Sequence, residues 1–199
     1  MIKAIIFDAG GVIVPEKRLS EGESLIERVG ISKNKLEEIQ LNLYPLVIKG
    51  EMSLYDYYRC ILNKSNMKSD PREFLQRHLA DHRKVLGSLD IKIVDLIENL
   101  RGKYLVCWSS NTELEIAQET LTNIFFSNFS KRYLSCEIGL SKPEREYFEY
   151  ILNDLKIPPE QILFIDDRRE NIDGAESCGF RTVHYSGNPR LISDFLESN

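Results

Sequence analysis

Apolar residues in this 199-residue chain follow two patterns. Short continuous apolar runs, bounded by polar or small residues, predict four buried strands: IKAIIF (2–7), KYLVCW (103–108), QILFID (161–166) and RTVHY (181–185). Between the later runs, apolar residues recur at helical spacing. Because strands and helices alternate in the C-terminal half, we predict an α/β fold, with a parallel sheet covered by helices on both faces.

Two helices have recognisable predicted starts. In DIKIVDLIENLRG, Asp90 is the predicted N-cap and Gly102 occupies the position where a left-handed stop is expected. In SKPEREYFEYILNDL, the predicted start consists of Ser141, Pro143 and Glu144. We expect both helices to pack on the sheet.

The stretch after the first strand differs, because nothing in it resembles a convincing strand. SLYDYYRCIL has apolar residues at helical spacing after the capping residue Ser53, and DPREFLQRHLADHRKVL begins with Asp70 as a predicted cap. We therefore predict a small all-α module of residues 16–87, inserted after strand 1 into a core formed by residues 1–15 and 88–199.

Composition excludes several classes of function. The chain has 26 basic and 31 acidic residues, a formal charge of -5, which does not favour general nucleic-acid binding. Its four cysteines are widely spaced and lack a CxxC pair, which predicts reduced thiols. No run reaches the roughly 18 apolar residues of a membrane span, and the N-terminal apolar run is too short for a signal peptide. We expect a cytoplasmic protein with no membrane partner; the sequence leaves its oligomeric state open.

Polar residues follow three of the predicted strands. Asp8 follows strand 1, SSNT (109–112) follows strand 2, and Asp166 and Asp167 follow strand 3, while Lys142 lies in a loop before a helix. Ligands bind at the carboxyl ends of the strands in open α/β sheets. Together these residues supply a carboxylate nucleophile, hydroxyl and amide donors, a cation and an acidic metal site.

Each of these residues taken alone has a simpler explanation. Asp8 is compatible with a strand-end turn, although the two glycines after it already supply one. Ser110 is compatible with a helix cap, and Lys142 with a solvated side chain inside a capping box. Asp166 and Asp167 are compatible with capping the next helix, although adjacent carboxylates repel each other. Only their joint order favours a functional site.

Four segments carry a resemblance to a known family. FDAGGVIV, CWSSNT, GLSKPE and FIDDRRENIDGA, in this order and at these separations, resemble the four motifs of the haloacid dehalogenase-like hydrolase superfamily, whose members are mostly phosphatases. The resemblance implies a Rossmann-like core, with residues of about 15 to 87 in the place of a helical cap. It also implies a Mg²⁺-dependent phosphomonoester hydrolase that acts on a small phosphorylated metabolite such as a sugar phosphate.

The resemblance further implies the chemistry of the first and last motifs. Asp8 attacks phosphorus and forms an aspartyl-phosphate that water then hydrolyses. Mg²⁺ is held by Asp8, the backbone carbonyl of Gly10, and Asp167 with Asp166, because hard cations prefer oxygen ligands.

The second and third motifs are implied to bind the phosphoryl group. Ser110 and Lys142 hold its oxygens, and the backbone amides of Ser110 and Asn111 add donors. Asn171 is implied to steady Lys142 or a metal-bound water.

Gly10 departs from the family pattern. Most phosphatases of the family have DxD in the first motif, and the second Asp transfers protons to the leaving oxygen and from water. Such a group contributes about 10² to 10⁴-fold to rate. We hypothesise either that the substrate has a good leaving group, such as an anomeric sugar or acyl phosphate, or that a cap residue or the substrate supplies the proton. Glu16 is one candidate.

Two alternatives remain open from the sequence. A haloacid dehalogenase also uses the strand 1 Asp and lacks the second Asp, but it needs no metal and its fourth motif carries no paired acids such as Asp166 and Asp167. A pseudoenzyme that binds phosphorylated ligands, or a protein partner, without turnover has Gly10 as its main support.

Overall fold

The computed structural model describes residues 1–14 and 31–198, and within them one parallel sheet of five strands. The spatial order is β3-β2-β1-β4-β5. The strands are β1 (Ala4–Asp8), β2 (Leu105–Ser110), β3 (Lys131–Leu134), β4 (Ile162–Asp166) and β5 (Arg181–His184). The predicted α/β class and parallel sheet are confirmed.

The strand order reverses at β1. The chain runs from β1 outward through β2 to β3, then crosses back to place β4 on the other side of β1. The register pairs Asp8 with Ser109 and Phe7 with Ile165, so the carboxyl ends of β1, β2 and β4 lie side by side. Such a reversal opens a crevice at the strand ends, which is where ligands bind in sheets of this kind.

Helices cover both faces of the sheet, because alternate strand residues point to opposite sides. On one face, Ile5 and Phe7 join a buried cluster that contains Ile97 of a covering helix. On the other face, Ala4 and Ile6 join a second cluster with aromatic residues such as Phe148. All residues of β1 are buried, as expected for the central strand of a two-sided core.

Ten α-helices lie within the described residues. They are α1 (Lys33–Ile48), α2 (Leu54–Lys64), α3 (Pro71–Leu86), α4 (Ile91–Leu100), α5 (Leu114–Thr120), α6 (Ile124–Ser127), α7 (Ser135–Ile138), α8 (Arg145–Leu155), α9 (Arg169–Ser177) and α10 (Arg190–Ser198). None of these helices is long and apolar enough to cross a membrane.

Local capping signals predicted three helix starts correctly. Ser53, Asp70 and Asp90 are the N-caps of α2, α3 and α4, and each side chain accepts a hydrogen bond from a backbone N–H of its first turn. Gly102, just beyond the end of α4, has the predicted left-handed conformation, with φ of 86°.

The structure corrects two local predictions. Strand β3 was not predicted, because KRYL is short and begins with two basic residues, a pattern common at sheet edges. Helix α8 begins at Arg145, after the predicted start, because residues 141–144 form a separate turn in which Glu144 N–H donates to the Ser141 carbonyl at 3.0 Å.

Helices α1 to α3 form a further buried cluster of their own. Tyr57 and Ile61 of α2 and Phe74 of α3 belong to it, and Ile116 of α5 joins it from the sheet-covering part of the chain. Helix α5 therefore forms one surface against which this helical segment packs. Glu16, one candidate proton donor, lies outside the described residues.

Candidate active site

Strand β1 delivers Asp8 to a tight backbone bend. Gly11 lies in the left-handed region, with φ of 74°, and its N–H donates to the Val14 carbonyl at 2.9 Å. A Cβ at Gly11 would lie 2.1 Å from Oδ2 of Asp167. Glycine is therefore required both by the backbone conformation and by the close approach of Asp167.

Three carboxylates meet at the ends of β1 and β4. Asp8, Asp166 and Asp167 each place one oxygen so that the three oxygens lie within 4.8 Å of one another. Asp8 and Asp166 are buried, and Asp167 is partly exposed. Buried carboxylates this close repel one another unless a cation offsets their charge.

The Lys142 ammonium group lies within this cluster. Its Nζ donates to Oδ1 of Asp8 at 2.5 Å and to Oδ2 of Asp166 at 2.8 Å, and Ser109 Oγ lies at 3.4 Å. The lysine side chain is only 2% exposed. Lys142 is therefore a buried cation of the site rather than a solvated lysine.

Burial and charge shift the pKa values of this pair. Desolvation raises the pKa of Asp8 to about 7, an effect that Lys142 opposes and the neighbouring Asp166 reinforces. Burial by itself lowers the pKa of Lys142, but the attraction of Asp8 and Asp166 outweighs it and raises that pKa above its ordinary value. The lysine thus stays charged, and added positive charge beside Asp8 would favour its ionised form.

Two asparagines hold the charged groups in place. The Asn111 side chain donates to the Lys142 carbonyl at 2.7 Å and accepts from the Lys142 N–H at 2.9 Å, which fixes the third motif against the second. Asn171 Nδ2 lies 3.0 Å from both oxygens of Asp166, and Oδ1 of Asp166 also accepts from Arg168 N–H at 2.9 Å. Asn171 therefore contacts Asp166, which in turn contacts Lys142.

A cavity of about 170 Å³ opens onto these groups. Its lining comprises Asp8, Gly10, Ser110, Asn111, Lys142, Asp167, Arg168 and Asn171. Asp166 lies behind this lining. The structure thus brings the predicted site residues of all four motifs to one rim of the sheet, although their roles stay predictions.

The sequence analysis missed two neighbours of these residues. Ser109 is fully buried, lies beside Lys142 and pairs with Asp8 in the sheet register, whereas the predicted phosphoryl-binding serine is the next residue, Ser110. Gly11 was interpreted only as a turn residue. The strand register was the signal that would have indicated Ser109, and no local pattern indicated the contact between Gly11 and Asp167.

The donor set fits a hard divalent cation. Three carboxylates converge here, and all their donor atoms are oxygens. Mg²⁺ prefers such ligands and is commonly bound by one or two carboxylates together with substrate phosphate.

Comparison with known proteins gives relatives along nearly the whole chain. A curated relative from Bacteroides thetaiotaomicron, D-ribitol-5-phosphate phosphatase, is 28% identical over 192 residues, covering 92% of this chain and 91% of the relative. A solved haloacid dehalogenase (HAD) family enzyme from the same organism, in complex with magnesium and inorganic phosphate, is 26% identical to this chain. The two structures superpose with a TM-score of 0.75, over 94% of this chain and 96% of that one.

A further solved structure supports the fold. A predicted HAD-like family hydrolase from Porphyromonas gingivalis is 24% identical, with a TM-score of 0.79 and complete coverage of both chains. The family model described as haloacid dehalogenase-like hydrolase matches residues 2–179. This chain therefore belongs to the haloacid dehalogenase-like hydrolases.

Proposed function

We propose that this protein is a Mg²⁺-dependent phosphomonoesterase that hydrolyses a small phosphorylated metabolite. The observation that carries the proposal is the convergence of Asp8, Asp166 and Asp167 around Lys142 beside an open cavity. The relatives add support, since one is a sugar-alcohol phosphate phosphatase and another was solved with magnesium and inorganic phosphate.

Asp8 is the proposed nucleophile. Its carboxylate oxygen attacks phosphorus, the bond from phosphorus to the leaving oxygen breaks, and water later hydrolyses the aspartyl-phosphate. Lys142 holds a phosphoryl oxygen while its contacts with Asp8 and Asp166 orient the nucleophile. Ser110 and the backbone amide of Asn111 donate to the remaining oxygens.

The proposed metal ligands are the carboxylates of Asp8, Asp166 and Asp167 and the backbone carbonyl of Gly10. When bound, Mg²⁺ would supply positive charge that offsets the repulsion between the Asp8 carboxylate and the phosphate oxygens. The three carboxylates hold this charge at the place where the nucleophile and the phosphate must approach each other.

Residues 16–87 are the proposed cap, and residues 1–15 and 88–199 the proposed catalytic core. Helices α1 to α3 have a hydrophobic cluster of their own, which packs against α5, and this cluster supports the division. A cap of this kind excludes water from the reaction and contacts the leaving group. Given the relative that acts on D-ribitol 5-phosphate, polyol and sugar phosphates are the first substrates to test.

Gly10 leaves the first motif without its usual proton donor. The nearest atom to a Cβ built at Gly10 is Oδ2 of Asp8 at 4.0 Å, so the backbone leaves open space there. We propose that the substrate has a good leaving group or that another group supplies the proton. p-Nitrophenyl phosphate, whose leaving group needs no proton at neutral pH, is therefore the appropriate first assay substrate.

The test measures p-nitrophenyl phosphate hydrolysis with Mg²⁺, with EDTA, and in Asp8→Asn. We expect turnover that needs Mg²⁺ and is lost in Asp8→Asn, while Asp95→Asn, a matched change at an exposed position of α4, retains it. Turnover of a haloacid in EDTA would instead indicate a dehalogenase. Phosphate binding without hydrolysis of any phosphomonoester would indicate the binding-only protein that Gly10 suggests.

A further inference from the structure

Asp167 lies one residue beyond the end of β4. The last residue of that strand is Asp166, whose backbone carbonyl accepts from Tyr185 N–H at 2.9 Å where β4 pairs with β5. The register of this pairing ends with Asp166 opposite His184. Asp167, whose carboxylate is one of the three that converge at the site, is the next residue along the chain. Its orientation therefore depends on contacts other than the regular pairing of the two strands.

The His184 side chain supplies such a contact. His184 is the last residue of β5, and its Nε2 lies 2.9 Å from the backbone carbonyl oxygen of Asp167. Because a carbonyl oxygen only accepts, the imidazole N–H is the donor, and an imidazolium donates from the same nitrogen. The hydrogen bond therefore forms whether the ring is neutral or charged. It extends the attachment of β4 to β5 by one residue.

The peptide unit between Asp167 and Arg168 is held at both ends. Its N–H donates to Oδ1 of Asp166 at 2.9 Å, and its carbonyl accepts from His184. The positive end of the peptide dipole thus faces a buried carboxylate. A reversed peptide would lose both contacts and turn a carbonyl oxygen toward that carboxylate, which electrostatic repulsion opposes. The direction in which the Asp167 side chain leaves the backbone depends on this peptide.

The Asp167 carboxylate also approaches the bend after β1. A Cβ built at Gly11 would lie 2.1 Å from Oδ2 of Asp167, so the side chain is close to the backbone there. A small shift of the Asp167 backbone would therefore change the spacing of its carboxylate from those of Asp8 and Asp166. Mg²⁺ demands near-octahedral geometry at short distances, whereas Ca²⁺ accepts variable geometry. Such a shift would weaken the binding of Mg²⁺ more than that of Ca²⁺.

We infer that His184 is a positioning residue for Asp167. It lies outside the four motif segments and acts on the site through the Asp167 peptide. The inference rests on the proposed function, in which Asp167 is a ligand of Mg²⁺. His184 sets the affinity and selectivity of the site for Mg²⁺ and takes no part in phosphoryl transfer itself.

The test measures the binding of Mg²⁺ alone and of Ca²⁺ alone by calorimetry, with no substrate present. His184→Leu removes the donor and keeps a side chain of similar length. Loss of one orienting hydrogen bond should raise the Kd for Mg²⁺ by about threefold to tenfold. The Kd for Ca²⁺ should stay within about twofold of the wild-type value, because this ion tolerates variable geometry.

Two further variants of His184 sharpen the measurement. His184→Gln keeps an N–H donor on a side chain of comparable reach, and it should restore the Kd for Mg²⁺ to within about twofold of the wild-type value. His184→Ala removes the donor without placing a larger apolar side chain at this exposed position. It should reproduce the effect of His184→Leu, and it keeps the inference testable if His184→Leu does not fold.

Thr182→Val is the matched control. Thr182 lies two residues before His184, on the same face of β5, and its hydroxyl donates to Oε1 of Glu176 at 2.6 Å. The variant removes one side-chain hydrogen bond from the same strand, and Glu176 is not among the converging carboxylates. Both dissociation constants should stay at their wild-type values.

Hydrolysis of p-nitrophenyl phosphate gives a second measurement. In His184→Leu, the Mg²⁺ concentration for half-maximal activity should rise by about threefold to tenfold, while kcat at saturating Mg²⁺ changes by less than about twofold. A general structural defect would instead lower kcat at every Mg²⁺ concentration and leave the half-maximal concentration unchanged.

Three results would overturn the inference while the proposed phosphatase activity stands. These are an unchanged Kd for Mg²⁺ in folded His184→Leu and His184→Ala, equal losses of Mg²⁺ and Ca²⁺ affinity, and a His184→Gln protein as impaired as His184→Leu. A wild type that binds Mg²⁺ but hydrolyses no phosphomonoester would overturn the proposed activity alone, because calorimetry still tests His184. A wild type that binds no Mg²⁺ would overturn both.

Discussion

Replacing Lys142 by methionine tests whether the buried ammonium group holds the carboxylates of the site together. The change preserves most of the aliphatic chain and removes the charge that contacts Asp8 and Asp166. In the variant, the two carboxylates face each other with no ammonium group between them. We therefore expect Lys142→Met to destabilise the metal-free protein.

The magnitude follows from the burial of all three groups. The side chain of Lys142 is 2% exposed, and those of Asp8 and Asp166 are 9% and 0% exposed. Removing one partner of a buried ion pair costs about 3–5 kcal/mol of unfolding free energy. For a chain of this size, each kcal/mol lowers Tm by about 2–4 °C, so the expected decrease is about 6–20 °C.

The loss of unfolding free energy in Lys142→Met should also depend on pH. Burial already raises the pKa of Asp8 to about 7, and loss of the lysine should raise it further. A carboxyl group whose pKa is raised on folding binds more protons in the native state, so its contribution to stability falls as pH rises toward the folded pKa. Lys142→Met should therefore lose more stability than the wild type between neutral and mildly alkaline pH.

The measurement is thermal and urea unfolding in EDTA, with Lys49→Met as the control. Lys49 also forms an ion pair, with Glu144 at 2.7 Å, but both partners are partly exposed. Exposed pairs contribute about 0–1 kcal/mol, so this control should change Tm little. A Lys142→Met protein as stable as the wild type would refute the view that Asp8 and Asp166 depend on the ammonium group.

Three further changes test the positions of single groups in the site. Asn111→Ala removes both hydrogen bonds to the Lys142 peptide, each worth about 0.5–1.5 kcal/mol, and should lower kcat/KM on p-nitrophenyl phosphate about tenfold or more. Gly11→Ala places a Cβ 2.1 Å from Oδ2 of Asp167, and the Mg²⁺ concentration for half-maximal activity should rise at least about tenfold. Gly10→Asp restores a carboxyl group where space is available, and alkyl phosphate hydrolysis relative to p-nitrophenyl phosphate should increase by about 10² or more.

Each of these three expectations has a contradicting result. Unchanged kinetics in Asn111→Ala would show that the position of Lys142 does not depend on its two hydrogen bonds with Asn111. An unchanged Mg²⁺ dependence in Gly11→Ala would show that Asp167 is not a ligand of the metal. An unchanged ratio of alkyl to aryl phosphate rates in Gly10→Asp would mean that the absent proton donor does not limit the reaction.

Local sequence patterns determined the parts of this protein that depend on neighbouring residues. The apolar runs of β1 and β4 and the caps at Ser53, Asp70 and Asp90 were predicted because strand burial and helix capping involve residues close in the chain. The order of the four motifs also indicated the family, which the match over residues 2–179 confirms.

The tertiary structure alone decided how the motifs contact one another. Lys142 bonds to Asp8 across 134 positions of sequence, and both polar groups of the Asn111 side chain are engaged with the Lys142 peptide rather than pointing freely toward a ligand. Strand β3, with its charged edge pattern, was recognisable only from its pairing with β2.

The hydrogen bond from Tyr44 of α1 to Glu113, the N-cap residue of α5, also required the tertiary packing. Local periodicity specifies which face of an element is buried, but it carries no information about which distant side chain lies opposite. The chemistry of this site depends on those long-range contacts, because the pKa values of Asp8 and Lys142 shift only when the fold removes the two groups together from water.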